Sequence, residues 1–377
     1  MKNPLQALAD FGQSPWYDNI RRDLLASGEL ARMIREEGLK GLTSNPTIFE
    51  KAVSGGEDYD GEIHHLIAAG VREPKDIYEA LAVADIRRAA DLFAPVFLDS
   101  KGADGFVSLE VSPVLAHDVE GTVAEALRLA ALVERPNAMI KVPATRAGLD
   151  AIERLTAEGL SLNVTLIFSV ARYSAVAEAY LKGLEKRAAA GLPLSNISSV
   201  ASFFISRIDA AVDKALDAKI AAAANAADKK RLAALQGQAA IAGAKLAYLK
   251  AAEIFAGPRF AALAAKGARA QRLLWASTGR KNPKYSDTRY IEELIGRDTV
   301  NTIPPATWTA FLDHGRARAS LEEAPETARA AFESLTRAGV DLEAVAAALE
   351  VEGVRSFADS FEKLLTVVAA KSRAVNA

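Results

Sequence analysis

The fold is decided by the stretch NAMIKVPAT, residues 137–145. It predicts a β-strand, because a short apolar run ends at a proline and the helical pattern of residues 147–158 follows. Successive side chains of a strand point to opposite faces, so Ile140 and Val142 share one face while Met139 and Lys141 share the other. Lys141 is therefore expected on the face that the helices do not cover.

Lys141 carries the first chemical hypothesis. A lysine among apolar neighbours is disfavoured in its charged form, and burial can lower its pKa from about 10.4 towards ~7, a difference of roughly 4 kcal/mol. The neutral amine that results is a nucleophile for a carbonyl carbon. The alternative is a lysine at the end of a strand whose amine reaches solvent, which is the commoner situation for a lysine taken at random.

Strand-like and helical segments alternate on both sides of this stretch. Seven further strands are predicted, at residues 12–20, 39–45, 105–112, 161–168, 198–205, 272–278 and 299–303. Between them the patterns predict helices, including one that opens at Ser27, two at residues 59–69 and 74–94, and two or three in the Ala-rich region 209–256. From residue 315 to the C-terminus the chain is expected to form packing helices and a tail.

Eight strands alternating with helices predict the α/β class and a (β/α)8 TIM barrel with additional helices. We expect one domain, residues 1–377, with the Ala-rich helices of residues 209–256 as an insertion and C-terminal helices at residues 315–377. An open doubly wound sheet is the alternative. Its dinucleotide-binding version is disfavoured, because no glycine-rich fingerprint follows any strand.

The alternation of side chains within the strands favours the barrel. In the third strand the aliphatic face is Val107, Leu109 and Val111, and the other face is Ser108, Glu110 and Ser112. In the fifth strand the aliphatic face is Leu162, Val164 and Leu166, and the other face is Asn163, Thr165 and Ile167. The aliphatic face suits packing under helices, so the polar face is expected to point at the barrel axis.

Composition excludes several classes of function. The 46 basic and 48 acidic residues leave a net charge of −2, without the basic stripe of a nucleic-acid-binding or membrane-surface protein. There is no cysteine, which excludes disulfides and thiolate metal sites, and the four histidines show no metal-ligand spacing beyond an adjacent pair. We expect no cofactor. The N-terminus lacks an apolar signal core and no run of about 18 apolar residues occurs, which predicts a cytoplasmic protein.

Polar side chains cluster near the predicted strand ends, where a barrel would bring them together. They are Asp18, Thr43, Ser44, Asn45, Glu110, Lys141, Asn163, Thr165, Ser202, Arg207, Arg280 and Lys281. A buried amine with carboxylates suits Schiff-base chemistry, in which the amine attacks a ketone and a carboxylate moves protons. Cations after the later strands suit a phosphate, so the expected ligand is a sugar phosphate.

Five motifs resemble those of transaldolases and occur in the order of that family. They are LTSNPTIF (42–49), SLEVSP (108–113), MIKVPAT (139–145), SLNVTLIFS (161–169) and SFFISRID (202–209). With WYDNI (16–20) and WASTG (275–279) they cover nearly the whole predicted barrel, and the Ala-rich stretch resembles the long form of the family. The resemblance implies a (β/α)8 barrel, no metal, and transfer of a dihydroxyacetone unit between sugar phosphates.

Site residues follow from the resemblance, motif by motif. It makes Lys141 the Schiff-base nucleophile and Asp18 the acid/base at the C4 hydroxyl, and it gives Glu110 and Thr165 a water that relays protons. The residues implied to bind substrate are Asn45, Ser44, Asn163, Ser202, Phe204, Arg207 and Lys281. Arg207 would hold the phosphate. The segment of residues 279–281 departs from the pattern of the shorter members of the family, and as the second cation at the phosphate we favour Lys281 over Arg280.

Several alternatives stay open from the sequence. Asp18 could cap a helix, and Asn45 before Pro46 could be turn chemistry. For the whole protein, the alternatives to transaldolase are a Schiff-base aldolase that releases dihydroxyacetone, and a non-catalytic barrel that binds sugar phosphates and uses its Ala-rich helices as an interaction arm. The expected partners are sugar phosphates, without nucleic acid or membrane, and the expected assembly is a monomer or homodimer.

Overall fold

The structure, a computed structural model, describes residues 2–374. Eight parallel strands close into one barrel in chain order, because β8 pairs with β1. The strands are β1 Gln13–Tyr17, β2 Gly41–Thr43, β3 Phe106–Glu110, β4 Ala138–Pro143, β5 Leu162–Ile167, β6 Ser199–Phe204, β7 Arg272–Ala276 and β8 Thr299–Ile303. The predicted (β/α)8 barrel is confirmed.

Helices follow every strand and form the outer layer. Before the fourth strand they are α1 Pro4–Ala7, α2 Arg22–Ala26, α3 Glu29–Arg32, α4 Pro46–Ser54, α5 Asp60–Ala68, α6 Pro74–Asp99 and α7 Val119–Val133. From the fourth strand onwards they are α8 Arg146–Glu158, α9 Val170–Ala189, α10 Ser206–Ala222, α11 Ala226–Ala233, α12 Ala239–Phe255, α13 Pro258–Ala264, α14 Arg289–Glu292, α15 Pro305–His314, α16 Pro325–Arg337 and α17 Leu342–Ala374. No helix within residues 2–374 is both long and apolar enough to cross a membrane.

The register of the middle strands brings three polar residues into one row. Glu110 on β3 is the partner of Lys141 on β4, and Lys141 is the partner of Asn163 on β5. The aliphatic neighbours Leu109, Ile140 and Val164 are at most 2% exposed. Because side chains alternate along each strand, the aliphatic set packs under the helices and the polar row faces the barrel axis.

Two helices near the N-terminus were not predicted. The helix predicted to open at Ser27 begins at Glu29 as α3, after Gly28 with a left-handed φ of +82°, and continues as a π-helical segment, Met33–Glu37. The short helix α2 before it was missed. Helix α4 was missed. Asn45 and Pro46 indicated only the end of a strand, but the Asn45 side chain caps α4 and Pro46 is its first residue, where the absent N–H costs nothing.

The alternation predicted for β5 is wrong after Thr165. A register shift against β6 lies between Val164 and Ile167, and Leu166 has a φ of +62°. Leu166 therefore leaves the helix-packed face and contacts α17, where a Cβ on Gly353 would lie 2.8 Å from its Cδ2. A bulge of this kind places two residues opposite one and breaks the strand period.

Two regions beyond the basic barrel affect the site. The Ala-rich stretch forms the three helices α10 to α12, the upper number predicted. The C-terminal part forms α16 and α17, and residues 375–377 of the predicted tail lie outside the described residues. Helix α17 packs on the barrel as predicted, and it also brings Phe357 to Lys141.

Candidate active site

A cavity of about 520 Å³ opens at the carboxyl ends of the strands. Its size suits a small metabolite, and this end of a TIM barrel is where active sites are built. Eight of the eleven predicted site residues line it: Asp18, Asn45, Lys141, Thr165, Ser202, Phe204, Arg207 and Lys281. The remaining three, Ser44, Glu110 and Asn163, are buried around it and do not line it.

Lys141 is buried beside a carboxylate. Its side chain is 6% exposed, and its Nζ lies 3.1 Å from Oε2 of Glu110. The same nitrogen donates a hydrogen bond to the Ser44 carbonyl at 3.2 Å and lies 5.7 Å from the centre of the Phe357 ring. The amine therefore has an acceptor for its proton at hydrogen-bonding distance.

Glu110 is suited to take that proton. Burial raises the pKa of its carboxyl group above the usual range, and the positive charge of Lys141 acts in the opposite direction. A carboxylate with a raised pKa is a stronger base than an exposed one. The pair can therefore exchange a proton within the site, which would leave a neutral, nucleophilic amine.

Asp18 follows β1 and faces the same cavity. Its Oδ1 accepts a hydrogen bond of 2.7 Å from the Thr43 hydroxyl, whose oxygen also lies 2.5 Å from that of Thr302. Burial raises the pKa of Asp18, while Lys141, the Thr43 hydrogen bond and the charge of Arg207 act to lower it. Asp18 caps no helix, since α2 begins only after Arg21. It is a fixed carboxyl group beside the amine, able to accept or donate a proton.

Amide and hydroxyl groups complete the wall. Asn45 both lines the cavity and caps α4, because its Oδ1 accepts from the Ile48 N–H at 3.0 Å. Asn163 accepts from Ser202 at 2.7 Å and donates to Ser108 at 3.0 Å, so it holds the Ser202 hydroxyl in place. The buried Thr165 hydroxyl has no hydrogen-bond partner within residues 2–374, which leaves it free to bind a water or a substrate hydroxyl.

Three cations meet at the rim of the cavity. Arg207, Lys281 and Lys51 all line it, and in the described part of the chain no carboxylate oxygen lies within 4.0 Å of their charged nitrogens. Burial lowers the pKa of Lys281, and the like charges of Arg207 and Lys51 lower it further. Cations that repel one another without an anionic partner form a site that an anion such as phosphate would stabilise.

The geometry also separates the two candidates for the second cation. Lys281 lines the cavity, whereas the Arg280 guanidinium donates to the Tyr285 carbonyl at 3.1 Å and does not line it. The guanidinium of Arg207 is held 5.4 Å from the centre of the Phe204 ring. Arg207 is thereby held at the rim by an aromatic face rather than by an acid.

Sequence reasoning missed Lys51 and Phe357. Lys51 lies in α4, and the capping pair Asn45 and Pro46 was the signal that could have revealed that helix. Phe357 lies in α17, more than 200 residues after Lys141, and nothing in the local pattern indicates which strand ends a distant helix will cover.

Comparisons with known proteins show the family of the chain. The family model described as Transaldolase/Fructose-6-phosphate aldolase matches residues 15–368. A protein of Thiobacillus denitrificans named Transaldolase is 49% identical over 369 residues, 97% of this chain and 99% of that protein. Proteins with the same name from Saccharopolyspora erythraea and Neisseria gonorrhoeae are 50% and 48% identical, and each alignment covers at least 94% of both chains. The chain belongs to the transaldolase/fructose-6-phosphate aldolase family.

Proposed function

We propose that this protein is a transaldolase of the pentose phosphate pathway. It cleaves a ketose phosphate such as sedoheptulose 7-phosphate or fructose 6-phosphate, keeps the dihydroxyacetone unit on Lys141, and transfers it to glyceraldehyde 3-phosphate or erythrose 4-phosphate. The observation that carries the proposal is the buried Lys141–Glu110 pair, 3.1 Å apart, in a cavity with Asp18 on its wall and unpaired cations at its rim.

The first step is formation of the Schiff base. Lys141 gives a proton to Glu110, and the neutral amine attacks the C2 carbonyl of the ketose. The carbinolamine loses its hydroxyl as water when a proton is returned to it. We assign that return to a water held by Glu110 and the unpartnered Thr165 hydroxyl. The protonated imine that forms is the electron acceptor for the next step.

Carbon–carbon cleavage follows on the same imine. Asp18 takes the proton of the C4 hydroxyl, the C3–C4 bond breaks, and its electron pair enters the imine to give an enamine. The aldose phosphate leaves while the three-carbon unit stays bonded to Lys141. In transfer, C3 of the enamine attacks the aldehyde of the acceptor, and Asp18 returns its proton to the new hydroxyl group. Hydrolysis of the imine then frees the product ketose.

The other residues hold the substrate in this scheme. Asn45 binds a hydroxyl of the dihydroxyacetone unit, with Ser202 and Phe204 beside it. Asn163 and Ser44 do not line the cavity, so we assign Asn163 to the same unit through the Ser202 hydroxyl that it holds, and Ser44 through its carbonyl bond to Lys141. Arg207 and Lys281 bind the phosphate. Lys51 is added to this group because it lines the same rim.

The phosphate site gives a paired prediction. Lys281→Met should raise KM for fructose 6-phosphate roughly 10- to 150-fold, the usual cost of losing a charged hydrogen bond, with a much smaller change in kcat. Arg280→Met removes a neighbouring cation that does not line the cavity, so its KM should change less. Steady-state kinetics on both variants measures the difference. Equal effects of the two substitutions would reject Lys281 as the phosphate ligand.

The experiment that tests transfer itself varies the acceptor. Fructose 6-phosphate is incubated with the protein with and without erythrose 4-phosphate, and sedoheptulose 7-phosphate, glyceraldehyde 3-phosphate and dihydroxyacetone are quantified. A transaldolase needs the acceptor for rapid turnover. A free aldolase is the alternative to test, because the family description names fructose-6-phosphate aldolase beside transaldolase. Equal rates of cleavage with and without acceptor would establish the aldolase and reject transfer.

The proposal extends to the setting of the enzyme. We propose a cytoplasmic location, one domain over residues 1–377, and a monomer or homodimer that acts on sugar phosphates without nucleic acid. Light scattering of the 40.0 kDa chain after size exclusion distinguishes the two assemblies.

A further inference from the structure

Two buried aspartates on α10 link the Ala-rich helices to the loop that follows β7. Asp209 accepts from the Ala240 N–H at 2.8 Å and from the Tyr290 hydroxyl at 2.8 Å. Asp213 accepts from the Gly237 N–H at 2.8 Å and from the Tyr285 hydroxyl at 2.5 Å. Each carboxylate thus bonds both to backbone at or just before the start of α12 and to a tyrosine. Tyr285 lies in the loop after β7, and Tyr290 lies in α14, which follows that loop.

The contact between the loop and the Ala-rich region is close. The Arg289 guanidinium donates to the Gly237 carbonyl at 2.6 Å and lies 4.5 Å from the centre of the Tyr285 ring. Gly237 has a φ of +71°, and a Cβ there would lie 2.7 Å from Cζ of Tyr285. Only glycine allows the Tyr285 ring to come this close, so the position of Tyr285 depends on the backbone at Gly237 in the Ala-rich region.

These contacts connect two cations of the cavity rim, Arg207 and Lys281. Arg207 lies in the first turn of α10, and Asp213 lies on the same helix, less than two turns further on. Lys281 lies four residues before Tyr285, in the loop that Asp213 holds. Because a helix is rigid over two turns, the separation between Arg207 and Lys281 is set by α10 and the Tyr285–Asp213 bond rather than by the loop alone.

We propose that Tyr285 and Asp213 are positioning residues of the phosphate site, and that the Ala-rich helices α10 to α12 are its support. The inference rests on the proposed function only in taking the anion to be the phosphate of a sugar. Loss of the bond would let Lys281 move relative to Arg207, which weakens binding of the anion. The chemistry at Lys141, at the bottom of the cavity, would continue once substrate is bound.

Tyr285→Phe removes the hydroxyl and keeps the ring that packs on Arg289. Its matched control is Tyr248→Phe, which removes a hydroxyl of α12 that bonds to a different carboxylate, Glu322, at 3.2 Å. The dissociation constant of inorganic phosphate is measured by titration calorimetry, and KM and kcat for fructose 6-phosphate by steady-state kinetics. We expect Tyr285→Phe to raise the dissociation constant and KM about five- to tenfold and to leave kcat within about twofold.

Asp213→Asn tests the other side of the bond. If the two residues act together, the double variant Tyr285→Phe/Asp213→Asn should have a dissociation constant for phosphate no higher than that of the single variant that binds phosphate less tightly. Unchanged phosphate binding in Tyr285→Phe, an equal loss in Tyr248→Phe, or additive losses in the double variant would overturn the inference. Calorimetry with phosphate needs no turnover, so these results are distinct from a failure of the proposed function, which would appear as wild-type protein that binds phosphate but forms no adduct with fructose 6-phosphate.

Discussion

Replacement of Lys141 by alanine should lower transfer activity by at least ~10⁴-fold. The other two lysines of the cavity, Lys51 and Lys281, lie at its rim, and in the described part of the chain neither pairs with a carboxylate that could take its proton. Lys141→Arg should be as inactive, although it keeps the positive charge, since a guanidinium does not lose its proton in a protein. In the structure the amine lies beside the carboxyl group that can take its proton, 3.1 Å away. The charge of Lys141 is therefore less important than its ability to become neutral.

The measurement is covalent trapping. Wild-type protein, incubated with fructose 6-phosphate and reduced with borohydride, should gain one adduct on the peptide that contains Lys141, located by mass spectrometry. Neither Lys141 variant should gain it. Lys75→Arg is the control, because Lys75 also pairs with a buried glutamate, Glu125 at 2.7 Å, but lies outside this cavity. An adduct that persists in Lys141→Ala would refute the assignment.

The position of Lys141 could be predicted because it depends only on local rules. Strand period fixed which face of β4 the lysine occupies, and the alternation of strands and helices indicated where that face points. The same reasoning identified Glu110, one strand away, which is the register partner of Lys141. The distance between the two groups could not be predicted, because it depends on the shear of the closed barrel.

The fifth strand marks the limit of this reasoning. Strict alternation placed Leu166 under the helices, but the bulge turns it towards Gly353 of α17. The partner that the bulged residue packs against lies almost 190 residues later, so no window around β5 contains the reason for it. A non-glycine residue with positive φ is held there by tertiary contacts rather than by its own preference.

At the rim of the cavity, too, the sequence indicated some residues, and others are placed there only by tertiary contacts. Arg207 and Lys281 were indicated by motif and by position after a strand, whereas Lys51 depends on how α4 lies across the barrel mouth. The role of the Ala-rich region was open for a similar reason. Its composition predicts helices, but the bonds from Asp209 and Asp213 to Tyr290 and Tyr285 join segments 72 to 81 residues apart. Composition does not encode such contacts.

Asp18→Asn should slow transfer by about 10²- to 10⁴-fold, the usual contribution of a general acid or base. Asparagine keeps the size of the side chain and can still bond to the Thr43 hydroxyl, but it cannot take the proton of the C4 hydroxyl. Schiff-base formation relies on Lys141 and Glu110, so the variant should still be trapped by borohydride. The trapped mass should be that of the whole ketose phosphate, because the C3–C4 bond is not broken.

The pH dependence gives an independent test of Asp18. The residue must be ionised to act as the base, and burial raises its pKa. Activity of the wild type should therefore fall at acid pH with an apparent pKa above the usual value for aspartate, about 3.9. In Asp18→Asn the residual activity should no longer show the fall at acid pH that is due to protonation of Asp18. Asp91→Asn, which alters an exposed aspartate paired with Arg135 outside the cavity, should keep both the rate and the fall at acid pH. Near wild-type turnover in Asp18→Asn would assign the C4 proton to another group, and Glu110 would then be the first to examine.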